Sequence, residues 1–286
     1  GIPGVTCTHR MVFFGAIYYP FDLLLRKIPV CNKPMDATAL RAKVGVFAEN
    51  HIIGFILGIL FGIIAGYSVA KTLMLGVQAA TALVLFPMIS KLFMQALSPI
   101  SEAISDYMNK KFSGRKLFVG IDWPFMGGAS EIWFAIIVAI PFTLIWALIL
   151  PGNKILPFAG IINISLIVPA YLVTRGNTLR MVILSIIGVP FFLFVGTQFA
   201  PMITELGQAT KAITIPAGQL ISNSSIDAPV FTYAFSFLFK FLEGNFIPLV
   251  FALWWGCGYF FYSRELRRES NLAQLEAEQQ EKAQQA

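Results

Sequence analysis

From residue 51 onward the chain repeats one pattern: a block of roughly twenty mostly apolar residues, then a short polar connection. Such blocks fall near 51–70, 72–96, 130–150, 155–173, 181–200 and 245–262. A bilayer core of roughly 30 Å takes about twenty residues of helix, so each block is long enough to cross. Three shorter apolar runs, 11–25, 118–129 and 228–242, do not reach that length and fit re-entrant or interfacial segments. The blocks stay apolar throughout instead of alternating, which excludes a membrane β-barrel. The pattern predicts an all-α polytopic membrane protein with about six to eight membrane segments, some of them re-entrant hairpins.

The short runs carry the interrupted backbone. Residues 118–129 contain Asp122, Pro124 and three glycines, and these break a helix and leave N–H and C=O groups without partners. Such backbone is tolerated at membrane depth only inside protein or along a watery cavity. The opening segment, from Gly1 to Arg10, sets Thr6, Thr8 and His9 between a Pro3-Gly4 turn and an apolar run, and it also reads as re-entrant. An ionisable group beside such a break is a candidate for binding because its burial is costly. Asp122 is the first candidate, and the competing reading is an acid capping the helix that follows. Glu131 opens the 130–150 span and could face the same cavity, although a first-turn Glu also complements the helix dipole without any ligand. Glu49 and His51 stand at the entrance of the 51–70 helix, Glu49 as a site candidate and His51 as an interfacial residue. Thr6, Thr8 and His9 supply donors and acceptors suited to a sugar hydroxyl. Lys91 and Lys240 fit cations that snorkel to the interface. Gly54, Gly58, Gly62 and Gly66 recur every fourth residue, which predicts a close helix contact along one face.

Composition and charge place these segments. The 286 residues are 57% hydrophobic and 13% charged, with a mean hydropathy of +0.72. The net charge of +6 does not indicate nucleic acid, because fifteen of the 21 cations lie in the loops 26–50, 98–117 and 174–180 and in the tail from Ser263. Lys71, Lys154 and Lys211 lie in the opposite set, so the first set is cytoplasmic. The segment from Asp36 to Gly45 fits a short surface helix, and 201–227 an extracytoplasmic connection. Residues 1–262 form the membrane domain and 263–286 a cytoplasmic polar tail, rich in Glu, Gln and Ala, that is either a solvated helix or a disordered end. The opening residues read as the middle of something, so the chain is expected to lack an N-terminal part. Cys7, Cys31 and Cys257 form no close-spaced pair, and reduced, incidental thiols are expected. No Gly-rich phosphate loop precedes a Lys-Ser or Lys-Thr pair. No cofactor, metal ligand or catalytic residue is assigned.

Several motifs together resemble one family. They are the opening from Ile2-Pro3-Gly4 to His9, Lys27-Ile28-Pro29, the Glu49 to Tyr67 helix, Gly120-Ile121-Asp122, the Pro151 to Phe158 stretch and Arg175-Gly176-Asn177. In order and spacing they resemble the galactitol-type membrane subunits, the EIIC components, of the bacterial phosphoenolpyruvate-dependent sugar phosphotransferase system, within an ascorbate-galactitol superfamily. Coverage is close over about residues 1–205 and looser to about 262. Members are longer, so the chain resembles the C-terminal two-thirds of one, and Ala48-Glu49-Asn50 stands where the family has Gly-Glu-Pro, with the acid retained. The resemblance implies an inverted-repeat transporter fold, a homodimer in the inner membrane with a cytoplasmic C-terminus, and a polyol substrate. It also implies a phosphocysteine-bearing EIIB subunit, supplied by EIIA, that phosphorylates the polyol as it emerges. The membrane subunit then carries no phosphorylated residue of its own. On this reading Asp122, Glu131, His9, Glu49, Thr6 and Thr8 bind substrate.

Two other readings compete with it. An ion-coupled secondary polyol transporter would use Asp122 and Glu131 as proton or sodium sites, and a non-transporting remnant would use none of them.

Overall fold

A computed structural model describes residues 5–7, 10–33, 45, 49–112, 119–121, 130–155, 164–221 and 228–285. A 3-10 turn at Arg10–Phe14 leads into α1 (Gly15–Leu25). There follow α2 (Asn50–Ile64), α3 (Val69–Lys111), α4 (Ser130–Ile149), α5 (Ile164–Thr174), α6 (Thr178–Ala209), α7 (Pro229–Ser236) and α8 (Ile247–Gln285). Among the described residues the regular structure that is not helical is one pair of three-residue strands, β1 (Val5–Cys7) and β2 (Val119–Ile121). Val69–Met108, Glu131–Ile149 and Thr178–Ala209 are long and apolar enough to cross a membrane, and Asn50–Ile64 is a shorter apolar helix. The all-α membrane architecture expected from the pattern is therefore what the chain adopts.

Some boundaries differ from the pattern. The loop expected over 98–117 is helical as far as Lys111, because Ile100, Ile104 and Met108 keep a helical period among the charges that marked it as a loop. Of the span expected over 155–173, the described helix is α5, whose eleven residues rise only about 16 Å and do not cross alone. Helix α6 extends beyond 181–200 at both ends, so the connection expected from 201 is helical to Ala209. The tail is helical, continuous with α8 through to Gln285. The surface helix expected over 36–45 lies outside the described residues apart from Gly45.

Helices α2 and α3 form a hairpin on a glycine seam. A Cβ at Gly58 would lie 2.6 Å from the Leu75 carbonyl oxygen and 2.7 Å from the Gly76 Cα, so the two backbones touch. Gly54 and Gly62 meet Ala79 and Thr72 in the same way. Gly66 leaves the seam. It has φ +68° with open space around it, and the hydrogen bonds Tyr67 N to Gly62 O and Gly66 N to Ile63 O close α2 as a Schellman end. The outer faces of the hairpin expose Ile56, Leu60, Ile63, Met74, Val77 and Leu92, a surface a bilayer can solvate.

The remaining helices pack around the first segment. Met11, Phe14, Ile17 and Tyr18 are buried with Ile132 and Ala135 of α4, Leu166 and Ile167 of α5, and Met181, Leu184 and Leu193 of α6. The buried Tyr18 hydroxyl donates to the Leu166 carbonyl at 3.1 Å, and Gly188 of α6 leaves room for it. Two Asn-bearing turns hold α6, one at its start and one at Thr197. Asn177 accepts from Arg180 N at 3.1 Å as the N-cap of α6. Further along the helix Thr197 donates to Asn153 Oδ1 at 3.1 Å, while Asn153 Nδ2 donates to the carbonyls of Ala147 and Ile155. Lys154 N donates to Thr197, 17 residues along α6 from Arg180, which is about 26 Å. The structure thus sets Lys154 well apart from Arg180 along the axis of α6.

Candidate functional site

The two segments read as re-entrant meet in the strand pair. β1 and β2 run parallel with Val5 opposite Val119, Thr6 opposite Gly120 and Cys7 opposite Ile121. Extended backbone in a helical membrane body must find partners, and here each segment satisfies the other. Thr8 and His9 lead off from Cys7, and Asp122 from Ile121. All three lie outside the described residues. Strand β2 also touches α3.

Glu131 lies in the first turn of α4 and is partly buried. Two residues on, the Trp133 ring stacks on Phe86 of α3, with centroids 5.5 Å apart and planes 6° apart. This stack joins the hairpin to the rest of the body.

One residue beyond Phe86, α3 borders a cavity of about 390 Å³ lined by Glu49, Asn50, His51, Leu83, Val84, Pro87, Met88 and Lys91. Glu49 Oε2 and His51 Nδ1 are 3.4 Å apart, both about half exposed. Pro87 contributes no N–H, so the Leu83 carbonyl lacks its helical donor. The cavity lining therefore includes a carboxylate acceptor beside amide, imidazole and ammonium donors on apolar walls, a set suited to a small hydroxyl-rich molecule. Of the sequence-predicted residues, Glu49 lines this cavity, Thr6 sits in the strand pair and Glu131 lies at the helix that packs beside Phe86.

Sequence reasoning assigned His51 and Lys91 to the interface and missed their company. The signal was present, because Pro87 and Lys91 are four residues apart and share a helix face, but Glu49 is distant in sequence. Lys240 is exposed, with its ammonium 4.9 Å from the Phe237 ring centroid. Cys31 and Cys257 are free thiols. Among the described residues no group of three or more His, Cys, Asp or Glu side chains could hold a metal ion.

Comparison with known proteins adds a family relation. A family model described as "PTS system sugar-specific permease component" (EIIC-GAT) matches residues 1–218. The "PTS system galactitol-specific EIIC component" of Escherichia coli K12 is 31% identical over 225 residues, covering 78% of the chain and 49% of that protein. Its counterpart in Escherichia coli O157:H7 matches to the same extent. The chain spans about half the length of the curated relatives it matches. No solved structure matches it.

Proposed function

We propose a function from one premise: the chain belongs to the family of PTS sugar-specific permease components, EIIC-GAT. It contributes to moving a galactitol-like polyol across the bacterial inner membrane, coupled to phosphorylation by a phosphocysteine-bearing EIIB subunit that EIIA recharges. The whole unit is a homodimer with its C-terminus in the cytoplasm. The observation that carries the reading is the family match over residues 1–218. The pairing of two interrupted segments inside a helical membrane body supports it.

Mechanistically, the polyol is held by interrupted backbone and a few polar side chains. On this reading Asp122, His9, Thr6, Thr8, Glu131 and Glu49 bind it, supported by the strand pair that contains Thr6 and by the cavity that Glu49 lines. A carboxylate within reach of a hydroxyl orients it and can accept its proton as the phosphoryl group arrives from the partner. The product is an anion that cannot return through an apolar barrier, so trapping and transport are one event.

The decisive experiment is uptake of radiolabelled galactitol by membranes containing the chain in its native unit together with EIIA and EIIB. Phosphorylated product inside, dependent on both soluble partners, is expected. Accumulation of free polyol alone would refute the reading, and uptake abolished by dissipating the membrane potential would favour ion coupling. Within the site, Asp122→Asn should weaken polyol binding at least about tenfold, as loss of a charged hydrogen bond does, whereas Lys240→Ala should leave it unchanged. Calorimetric titration of both variants checks this, and equal affinities would remove Asp122 from the site.

A further inference from the structure

At the end of the bundle opposite Lys154, three carboxylates face three guanidiniums. Asp22 of α1 is fully buried, with its two oxygens 2.7 Å from Arg26 Nε and 2.7 Å from Arg180 Nη1. Arg26 continues to Glu265 of α8 at 2.7 Å, and Glu265 also accepts from the Tyr19 hydroxyl at 2.5 Å and from Arg175 Nη2 at 2.9 Å. The Arg175 guanidinium also pairs with Glu269, one helical turn further along the tail. Arg180 Nη2 donates to the Thr174 carbonyl at 3.1 Å, so a guanidinium also caps the C-terminal end of α5. Each charge has an opposite partner, which is the condition for such a group at a partly dry site.

The backbone gives a second, independent observation. Helix α5 closes with hydrogen bonds from Gly176 N to Tyr171 O and Arg175 N to Leu172 O, which places Arg175 at the left-handed position of a Schellman end. Its φ is +57°, where glycine is the usual residue and a side chain is disfavoured. Lys211 occupies the matching position after α6 with φ +52°. Arg175 thus sits where conformation asks for glycine, and its side chain is the part of it that bridges two tail acids.

We infer that the tail residues Ser263 to Glu269 are an integral part of the membrane body, fixed by an ion-pair latch keyed on Glu265 and closed by Arg175. The latch holds α8 against α1 and the α5–α6 turn, and so sets the direction in which the helix leaves the body toward Gln285. It stands on this geometry alone and does not depend on which solute the protein carries.

The test uses the opposing demands on Arg175. In the full-length protein in detergent, amide hydrogen exchange over 263–272 is measured for wild type, Arg175→Gly, Arg175→Asn, Glu265→Gln and, as a control, Lys211→Gly. Glycine and asparagine both tolerate the left-handed backbone, so neither variant strains the turn. Arg175→Gly, Arg175→Asn and Glu265→Gln are expected to speed exchange over 263–272 about tenfold, while Lys211→Gly leaves it at the wild-type rate. Wild-type exchange in both Arg175 variants would overturn the latch. So would equal acceleration by Lys211→Gly, because that would trace the effect to the backbone and not to the ion pairs. If Glu265→Gln does not fold, the rim variants at Arg175 decide the matter alone, since their side chain is 55% exposed.

Discussion

Tyr18 and Gly188 show how one atom sets a residue choice in this molecule. The Tyr18 phenol is fully buried and its hydroxyl donates to the Leu166 carbonyl, which avoids the cost of an unpaired buried O–H. That hydroxyl occupies the space a Cβ at position 188 would need. Gly188→Ala should therefore lower stability by about 1–3 kcal/mol, the usual cost of overpacking a core. Tyr18→Phe removes the obstructing oxygen, so Gly188→Ala should cost less in that background than in the wild type. Thermal unfolding of the two single variants and the double variant checks this, and strictly additive effects would show that the contact does not matter.

At the scale of elements, the hairpin of α2 and α3 is the most direct case of sequence dictating packing. Gly58 faces backbone atoms of Leu75 and Gly76, which cannot rotate away as a side chain could. Gly58→Ala should push the helices apart and destabilise the hairpin by about 1–3 kcal/mol. Gly66→Ala meets no neighbour and should cost only about 1 kcal/mol, from its left-handed backbone. The four-residue spacing made the seam legible at Gly54, Gly58 and Gly62. It failed at Gly66 because helix termination is a local hydrogen-bond event that periodicity does not report. The apolar blocks likewise made α2, α3, α4 and α6 legible. The continuation of α3 to Lys111 was hidden because charge density was taken to mark a loop. In the site, backbone breakers pointed to the two segments that meet as β1 and β2, while their register depends on contacts across more than a hundred residues that no local pattern encodes. That Lys91 lines a cavity with Glu49, Asn50 and His51 was not legible, because these neighbours come from the start of α2 and not from its own helix.

For the whole molecule the charges are segregated: apolar helices occupy the middle, and the ionised groups around Glu265 gather at one end. Burial by itself would raise the Glu265 carboxyl, but hydrogen bonds from Tyr19, Arg26 and Arg175 and the Arg26 charge together hold it below its usual value of 4.5. Around it stand Tyr19, Asp22 and Arg26 of α1, Arg175 of the α5–α6 turn, and Tyr262 and Glu269 of α8. A carboxyl with a lowered folded value binds its proton more readily in the unfolded chain. Its contribution to stability is therefore complete above about pH 4.5 and fades as the pH falls through the lower folded value. The thermal midpoint of the intact protein in detergent, followed from pH 7 downward, should hold steady as far as this group is concerned and then fall below pH 4.5. Glu265→Gln should start from a lower midpoint at pH 7 and show a shallower fall, because its amide has no proton to take up. If the variant falls as steeply as the wild type, the acid sensitivity lies in other carboxylates and Glu265 is not the group that ties protonation to the body of the protein.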